Sequence, residues 1–174
     1  PSYWNGGIKW VSLADSCRLD RFFITDTDKE ISEAGLANSS AVMHPAGTVI
    51  LSRDDGVGKS AILSQPMAVS QHFMAWQVGP RLDNVYLYYW LQLMKRTFEA
   101  IALGSTIQTI GLPYFRKLQI AVPPIEEQRR IAQVLRQADC TIDQTEEQLR
   151  GLNLLKIGLV TDLLTGRVRV SVET

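Results

Sequence analysis

Residues 122–132 of the chain read VPPIEEQRRIA and decide the fold, because they start a long helix. Pro124 suits the first turn of a helix, where a backbone N–H group has no intrahelical partner to lose. Glu126 and Glu127 follow in that turn, where the helix dipole favours negative charge. The stretch therefore predicts a helix that begins close to residue 124.

One face of this helix carries a heptad repeat that continues to residue 163. Mainly apolar residues recur there in alternating steps of four and three, as in the seam of a coiled coil. A helix of about 40 residues is roughly 60 Å long. A domain of this size cannot bury such a seam, so the helix needs a partner helix. The predicted interface residues are Ile131, Leu135, Ala138, Ile142, Leu149, Leu152, Leu159 and Leu163, with Thr145 and Lys156 completing the repeat.

The composition limits the class of protein. The 174 residues carry a formal net charge of zero, which argues against non-specific coating of nucleic acid but not against a local basic surface. No run of about 20 apolar residues is present that would span a membrane. Cys17 and Cys140 are far apart in sequence, so we expect no disulfide framework and a location in the reducing cytoplasm.

The part of the chain before the long helix predicts a mixed domain of short strands, loops and one good helix. Asp83 or Asn84 can cap that helix, and Gly104 can end it. Residues 15–40 are expected to form long loops with one short helix. Candidate strands are β-branched or aromatic runs bounded by Gly, Pro or Asp, at residues 8–12, 48–52, 61–64, 73–78 and 117–122.

These patterns predict an α+β fold in three parts. Residues 1–122 form a mixed α/β globular domain, and residues 123–166 form the helical region. Residues 167–174 form a short tail, which alternates like an edge strand but reads equally well as a frayed terminus.

Residues 56–60 read GVGKS and imitate the end of a phosphate-binding P-loop. The full motif needs a glycine where Arg53 stands. Asp54 and Asp55 would also repel a triphosphate. The alternative is a glycine-rich hairpin, which the flanking strand patterns favour.

The sequence shows no recognisable set of catalytic residues. His44 and His72 have no Cys or His partner at the spacing of metal ligands. The Pro-Pro pair at residues 123–124 lacks the flanking residues of the amino-methyltransferase motif. We therefore predict no metal, no cofactor and no catalytic residue.

Two polar loops suit contact with nucleic acid. In the hairpin loop, Arg53 can form two hydrogen bonds with guanine, and an aspartate can accept a hydrogen bond from cytosine. Lys59 can contact a phosphate. The second loop, residues 104–111, reads GSTIQTIG, and its glutamine can pair with adenine in two places. By itself this second loop reads equally well as a flexible connector.

Taken in order, several motifs make the chain resemble one half of the DNA-specificity subunit of type I restriction-modification systems. The most specific part is the Pro-Pro…Glu-Gln…Ile-Ala start of the helix together with its Leu-Leu-Thr-Gly end. The motifs are GGIKWVS at 6–12, LSR at 51–53, GVGK at 56–59, SQHF at 70–73, GST at 104–106, VPP at 122–124, EQ at 127–128, IA at 131–132 and LLTG at 163–166.

The resemblance implies a function in recognition and not in catalysis. One target recognition domain would read half of a bipartite DNA sequence, and the helices of two halves would pack antiparallel and set the distance between the half-sites. Implied partners are double-stranded DNA, methyltransferase and restriction subunits, and either a second copy of the chain or a sister half. In this interpretation the chain is a natural half-length subunit or half of a longer one.

Two sets of site residues accompany this interpretation. The outer face of the helix is expected to hold the methyltransferase subunit through Glu127, Arg130, Gln133 and Arg136. The residues expected to contact DNA are Lys9, Arg18, Arg21, Arg53, Asp55, Lys59, Ser60, Ser105, Thr106, Gln108 and Thr109.

The residues leave two alternatives open. The first is an adaptor that dimerises through its coiled coil and binds a protein without binding DNA. The second is a small enzyme, which would need a pocket with perturbed acids. Salt-sensitive affinity for DNA separates the specificity subunit from the adaptor.

Overall fold

The computed structural model describes residues 2–103 and 108–170. In chain order it contains β1 (Trp4–Val11), β2 (Phe23–Ile24), β3 (Lys29–Ile31), α1 (Glu33–Ala37), β4 (Val42–His44), β5 (Val49–Ser52), β6 (Ser60–Leu63), β7 (Met67–Val69), β8 (Phe73–Trp76), α2 (Asn84–Leu103), α3 (Leu112–Lys117) and α4 (Ile125–Leu164). A 3-10 turn, Leu13–Arg18, follows β1. This mixture of strands and helices confirms the predicted α+β class.

The strands form two four-stranded sheets. The first has the order β3-β1-β7-β4 and the second the order β2-β6-β5-β8. In the second sheet β5 pairs antiparallel with both β6 and β8, whereas β2 joins β6 in parallel. The β5–β6 pairing confirms the hairpin that residues 52–60 predict.

The second sheet is buried on both faces. Ile50 and Leu63 point toward the first sheet and pack with Val11 in a sheet–sheet core. Val49 and Leu51 alternate to the opposite face and pack against α2 and α3 in a sheet–helix core. Burial on both faces explains why β5 and β6 read as continuous apolar runs.

Helix α2 covers the second sheet. The Asp83 carboxylate accepts from the amides of Val85 (2.9 Å) and Tyr86 (3.0 Å), so it caps the helix as the sequence predicts. Leu91 and Phe98 lie on its inner face with no exposed surface. Burying each such side chain contributes about 1.5–3 kcal/mol.

The predicted strand at residues 117–122 is wrong. Lys117 ends α3, and residues 118–124 have no regular secondary structure. Leu118 and Ile120 alternate as in a strand because they pack against the sheet–helix core, while the Ala121 carbonyl accepts from the Tyr86 hydroxyl (3.0 Å). The alternation in the sequence therefore reflects alternate burial and not pairing with another strand.

Residues 15–40 contain more structure than the predicted loops with one short helix. Strands β2 and β3 lie there, together with α1 and most of the 3-10 turn. Strands of two or three residues are too short to leave a clear pattern in sequence. At the other end, residues 167–170 form no strand, and residues 171–174 lie outside the described residues.

Helix α4 is 40 residues long, as the heptad pattern predicts. The chain divides into two compact units between Ala132 and Gln133. In the first unit, Gln128 and Ala132 are buried on one face of the first turns of α4. In the second unit, the apolar residues of α4 are exposed.

Candidate nucleic-acid interface

The loop of the β5–β6 hairpin, residues 53–59, holds three side chains predicted to contact DNA. The Ser52 hydroxyl donates to the Asp55 carbonyl (2.7 Å), and the Gly58 amide donates to the Ser52 carbonyl (3.0 Å). Gly56 and Gly58 have φ angles of +67° and +85°, a left-handed conformation that most side chains disfavour. The result is a tight loop that leaves Asp55 exposed.

Two other segments meet this loop at Asp54. The Thr109 hydroxyl donates to one oxygen of the Asp54 carboxylate, and His72 Nδ1 lies 2.5 Å from the other. Arg53 Nε donates to the Ile110 carbonyl (3.0 Å), and the Ile110 amide donates to the Arg53 carbonyl (2.8 Å). The hairpin loop, the β7–β8 turn and the segment before α3 thus form one surface, the Asp54 cluster (Arg53, Asp54, His72, Thr109 and Ile110).

The Asp54 carboxylate braces this cluster as an anion. Partial burial raises the pKa of Asp54, but hydrogen bonds with Thr109 and His72 and the charge of Arg53 outweigh burial, so the pKa lies below its ordinary value of 3.8. At neutral pH the carboxylate therefore accepts from both neighbours. It holds three segments of the chain in fixed relation.

Lys59 is held by a different set of contacts. Its Nζ donates to the Ser16 carbonyl (3.1 Å). The next residue in the chain, Ser60, is tied to Asp20, because the Asp20 amide donates to the Ser60 carbonyl (2.9 Å). The Asp20 carboxylate in turn accepts from Lys95 of α2. An ammonium group has three donors, so Lys59 retains N–H groups for a phosphate while it braces the loop.

The three predicted phosphate contacts outside the loops lie apart from the Asp54 cluster. Lys9 Nζ lies 2.6 Å from Asp26 and 3.0 Å from Glu30, and these two carboxylates offset its charge. Arg18 Nε lies 3.3 Å from the carboxylate of Asp15, which is fully buried. Arg21 is exposed in the segment that leads into β2.

The remaining loop predictions have different outcomes. Gln108 is exposed beside Thr109. Ser60 has no exposed surface, and its hydroxyl accepts from Gln92 (2.8 Å). Ser105 and Thr106 lie outside the described residues.

Sequence reasoning missed the role of Gln128, which joins α4 to the start of α2. Its amide oxygen accepts from the Asp83 N–H (2.8 Å), and its amide nitrogen donates to the carbonyls of Arg81 (3.0 Å) and Pro123 (2.7 Å). The side chain has no exposed surface. No local pattern separates Gln128 from the exposed polar residues around it, because two of its three partners lie more than 40 residues away.

Sequence reasoning also missed the roles of Asp54 and His72. The sequence places Asp54 in the polar hairpin loop and His72 in the SQHF motif, but it does not predict that the two side chains meet. Their pairing joins residues 18 positions apart, and a contact of this kind has no periodic signature in sequence.

The predicted seam of α4 is exposed on the chain by itself. Leu152 is 63% exposed and Leu149 57% exposed. Lys156 lies among the leucines of the last turns. The four residues predicted to hold a methyltransferase subunit, Glu127, Arg130, Gln133 and Arg136, are also on the surface of α4.

Within residues 2–103 and 108–170, no three His, Cys, Asp or Glu side chains gather in an arrangement that would hold a metal ion. In the same described ranges, no helix combines the length and apolar character that crossing a membrane requires.

Comparison with known proteins places the chain in a family. The type I restriction enzyme MjaIX specificity subunit of Methanocaldococcus jannaschii is 28% identical over 148 residues, which is 84% of this chain and 34% of that subunit. The EcoR124I/EcoR124II specificity subunit of Escherichia coli is 26% identical over 84% of this chain and 37% of its own length. This chain thus spans about a third of the length of these relatives.

Comparison of the fold with solved structures agrees with the sequence comparison. The crystal structure of the HsdS subunit from Thermoanaerobacter tengcongensis superposes with a TM-score of 0.65, at 17% identity, over 92% of this chain and 39% of that one. The family model of the type I restriction modification DNA specificity domain matches residues 2–154. The chain therefore belongs to the family of type I restriction-modification DNA specificity domains.

Proposed function

We propose that this chain reads one half of a bipartite DNA target for a type I restriction-modification complex and is itself non-catalytic. The observation that carries the proposal is the Asp54 cluster, in which separate polar segments are fixed to one another by side-chain and backbone bonds. Base readout needs donors and acceptors held in place by a rigid support. A protein that selects sites in cellular DNA would work in the cytoplasm.

Within this surface, Arg53, Asp55, Gln108 and Thr109 are the proposed base contacts, and Lys59 is the proposed phosphate contact. Arg53 carries the strongest assignment, because its side chain is 20% exposed while Nε is anchored to the Ile110 carbonyl. Anchoring through Nε leaves the two terminal nitrogens of the guanidinium as donors.

Charge supports a role inside an assembly. The chain has a formal net charge of zero, and the acidic side chain of Asp54 lies beside Arg53 in the hairpin loop. Affinity for DNA depends mainly on phosphates neutralised by Lys and Arg. The chain alone is therefore expected to bind DNA weakly, and methyltransferase subunits held at Glu127, Arg130, Gln133 and Arg136 would supply most of the affinity.

The exposed seam of α4 supports the second part of the proposal, which is pairing with another helix of the same kind. A parallel register would place Lys156 opposite its own copy, whereas an antiparallel register places it elsewhere. Antiparallel pairing of two halves would hold two recognition domains at a fixed distance. The partner is a second copy of the chain or a sister half.

The assignment of Arg53 is tested by substitution in the complex with methyltransferase. Arg53→Ala is expected to relax specificity at one base pair, because a bidentate contact is worth about 1–3 kcal/mol of discrimination. Arg53→Lys keeps the positive charge but loses the bidentate hydrogen bonding of the guanidinium group. It should therefore lower specificity at the same base pair with less loss of affinity for DNA. Sequencing of methylated sites measures the effect, and an unchanged set of sites with both variants would refute the assignment.

Lys59→Ala should act differently from either Arg53 variant. It is expected to weaken binding to every DNA sequence alike and to lower the slope of log affinity against log salt by about one. Lys117→Ala is the matched control, because Lys117 is exposed at the end of α3, whose Phe115 packs on Trp76 at the far end of β8. Equal salt slopes for the two variants would show that Lys59 does not meet a phosphate.

A further inference from the structure

A groove with both apolar and polar walls lies beside the Asp54 cluster, at the junction of β1 and the β7–β8 turn. It has a volume of about 360 Å³, and its walls include Trp10, Ser12, Lys29, Ser70, Gln71 and His72. None of these six was predicted to contact DNA. His72 belongs to both the groove and the Asp54 cluster, so the two surfaces are continuous.

Two walls of this groove hold polar atoms without partners. Among the residues that the structure describes, the buried side-chain atoms lacking a hydrogen bond are Trp10 Nε1 and Ser70 Oγ. Ser70 as a whole is 7% exposed. Buried polar groups are nearly always paired, and an unpaired one is costly. Both exceptions belong to residues that line the groove.

The β7–β8 turn that carries Ser70 and Gln71 is held firmly. The Ser70 amide donates to the Val11 carbonyl (3.0 Å), and the Phe73 amide donates to the Ser70 carbonyl (3.2 Å). The Arg53 amide donates to the His72 carbonyl (3.0 Å), which ties the turn to the hairpin loop. Gln71 is exposed at the tip of this fixed turn.

The polar side chains in the walls of the groove include several hydrogen-bond donors. An indole N–H and an ammonium only donate, and a hydroxyl and a glutamine amide can both donate and accept. Phosphate oxygens and purine edges in the major groove are rich in acceptors, and adenine presents a donor beside an acceptor that a glutamine can match with two bonds.

We infer that this groove is a second DNA-reading element, in which Gln71 determines specificity at one base pair and Ser70 contacts the same DNA. The inference rests on the proposed function. It adds to the Asp54 cluster a contact from the residue that precedes His72 in the chain. The base expected opposite Gln71 is adenine.

The test maps methylated sites with the complex of this chain and its methyltransferase. Gln71→Ala is expected to lower discrimination at one base pair by about five- to one-hundred-fold, while affinity for unrelated DNA stays the same. The affected position should differ from the position that Arg53→Ala relaxes. Gln65→Ala is the matched control, because Gln65 lies in the turn after β6, at the end of that strand opposite the hairpin loop.

Ser70→Ala provides an independent readout. Removing a hydroxyl that has no partner should leave the thermal stability of the free chain unchanged or slightly higher, while affinity for the specific site falls by about tenfold. A merely structural role for Ser70 would lower stability and leave affinity unchanged.

The outcomes separate this inference from the function on which it rests. Sequence-specific methylation that is unaffected by Gln71→Ala and Ser70→Ala would overturn the inference that the groove reads DNA, and it would leave the proposed function intact. Loss of specificity with Arg53→Ala, together with no site-specific effect of Gln71→Ala, leads to the same conclusion. A wild-type complex that methylates without sequence preference would overturn both.

Discussion

Replacing Gln128 by leucine is expected to lower the free energy of unfolding of the recognition domain by about 2–4 kcal/mol. Leucine has nearly the same size but offers no hydrogen bond. The Asp83 N–H and the carbonyls of Arg81 and Pro123 would all lose the amide that now pairs them. Each buried polar group left unpaired costs about 1–3 kcal/mol, less where water reaches it.

Gln133→Leu is the matched control for this substitution. Gln133 is exposed on the same helix, and a surface substitution usually changes stability by less than about 0.5 kcal/mol. Urea unfolding at equal protein concentrations measures both variants. Similar midpoints for Gln128→Leu and Gln133→Leu would show that the three hydrogen bonds do not stabilise the junction between α2 and α4.

Leu152→Lys is expected to abolish the proposed pairing of α4 with a second helix. Losing the buried leucine costs about 2–5 kcal/mol, and it leaves an unpaired ammonium group in the seam. In a pair of two copies the cost applies twice. The equilibrium constant for association should therefore fall by at least about a thousandfold.

Leu154→Lys is a sharp control for the seam. Leu154 is 70% exposed and Leu152 63% exposed, so the two residues start from similar surroundings on the same helix. Two residues apart on a helix they point in directions about 200° apart, which places Leu154 away from the seam. Sedimentation of the chain alone measures pairing between copies, and co-elution measures pairing with a sister half. Equal loss with both variants would contradict the assignment of the seam.

The parts of the fold that the sequence predicts are those with a local signal. A proline pair, two glutamates and a heptad repeat are enough to predict α4, and Asp83 before an apolar stripe is enough for α2. The β5–β6 hairpin follows from two apolar runs around a glycine-rich loop. In each case the residues that define the element are adjacent in the chain.

The parts that the sequence does not predict depend on contacts between distant segments. Strands β2, β3, β4 and β7 have two or three residues each, so they exist because a neighbouring strand pairs with them. The wrong strand at residues 117–122 has the converse cause, because its apolar residues alternate without a pairing partner. Packing, and not local propensity, decides both cases.

The candidate site divides in the same way. Arg53, Asp55 and Lys59 can be predicted to contact DNA because they lie in one short loop and carry side chains that can bind bases or phosphates. The contact that joins this loop to its neighbours, between Asp54 and His72, spans β6 and β7. The groove beside Gln71 is lined by residues that are even farther apart in the chain, from Trp10 to His72. Such contacts become visible only when the chain is folded.

We propose that residues 1–122 select the DNA sequence while the helical region sets the distance between half-sites. Exchanging these residues for the recognition domain of a relative, in the complex with methyltransferase, tests it most directly when methylated sites are sequenced. We expect a bipartite site in which the half read by this chain changes and the length of the gap is retained. An unchanged site, or a gap that changes with the exchanged domain, would refute this division of roles.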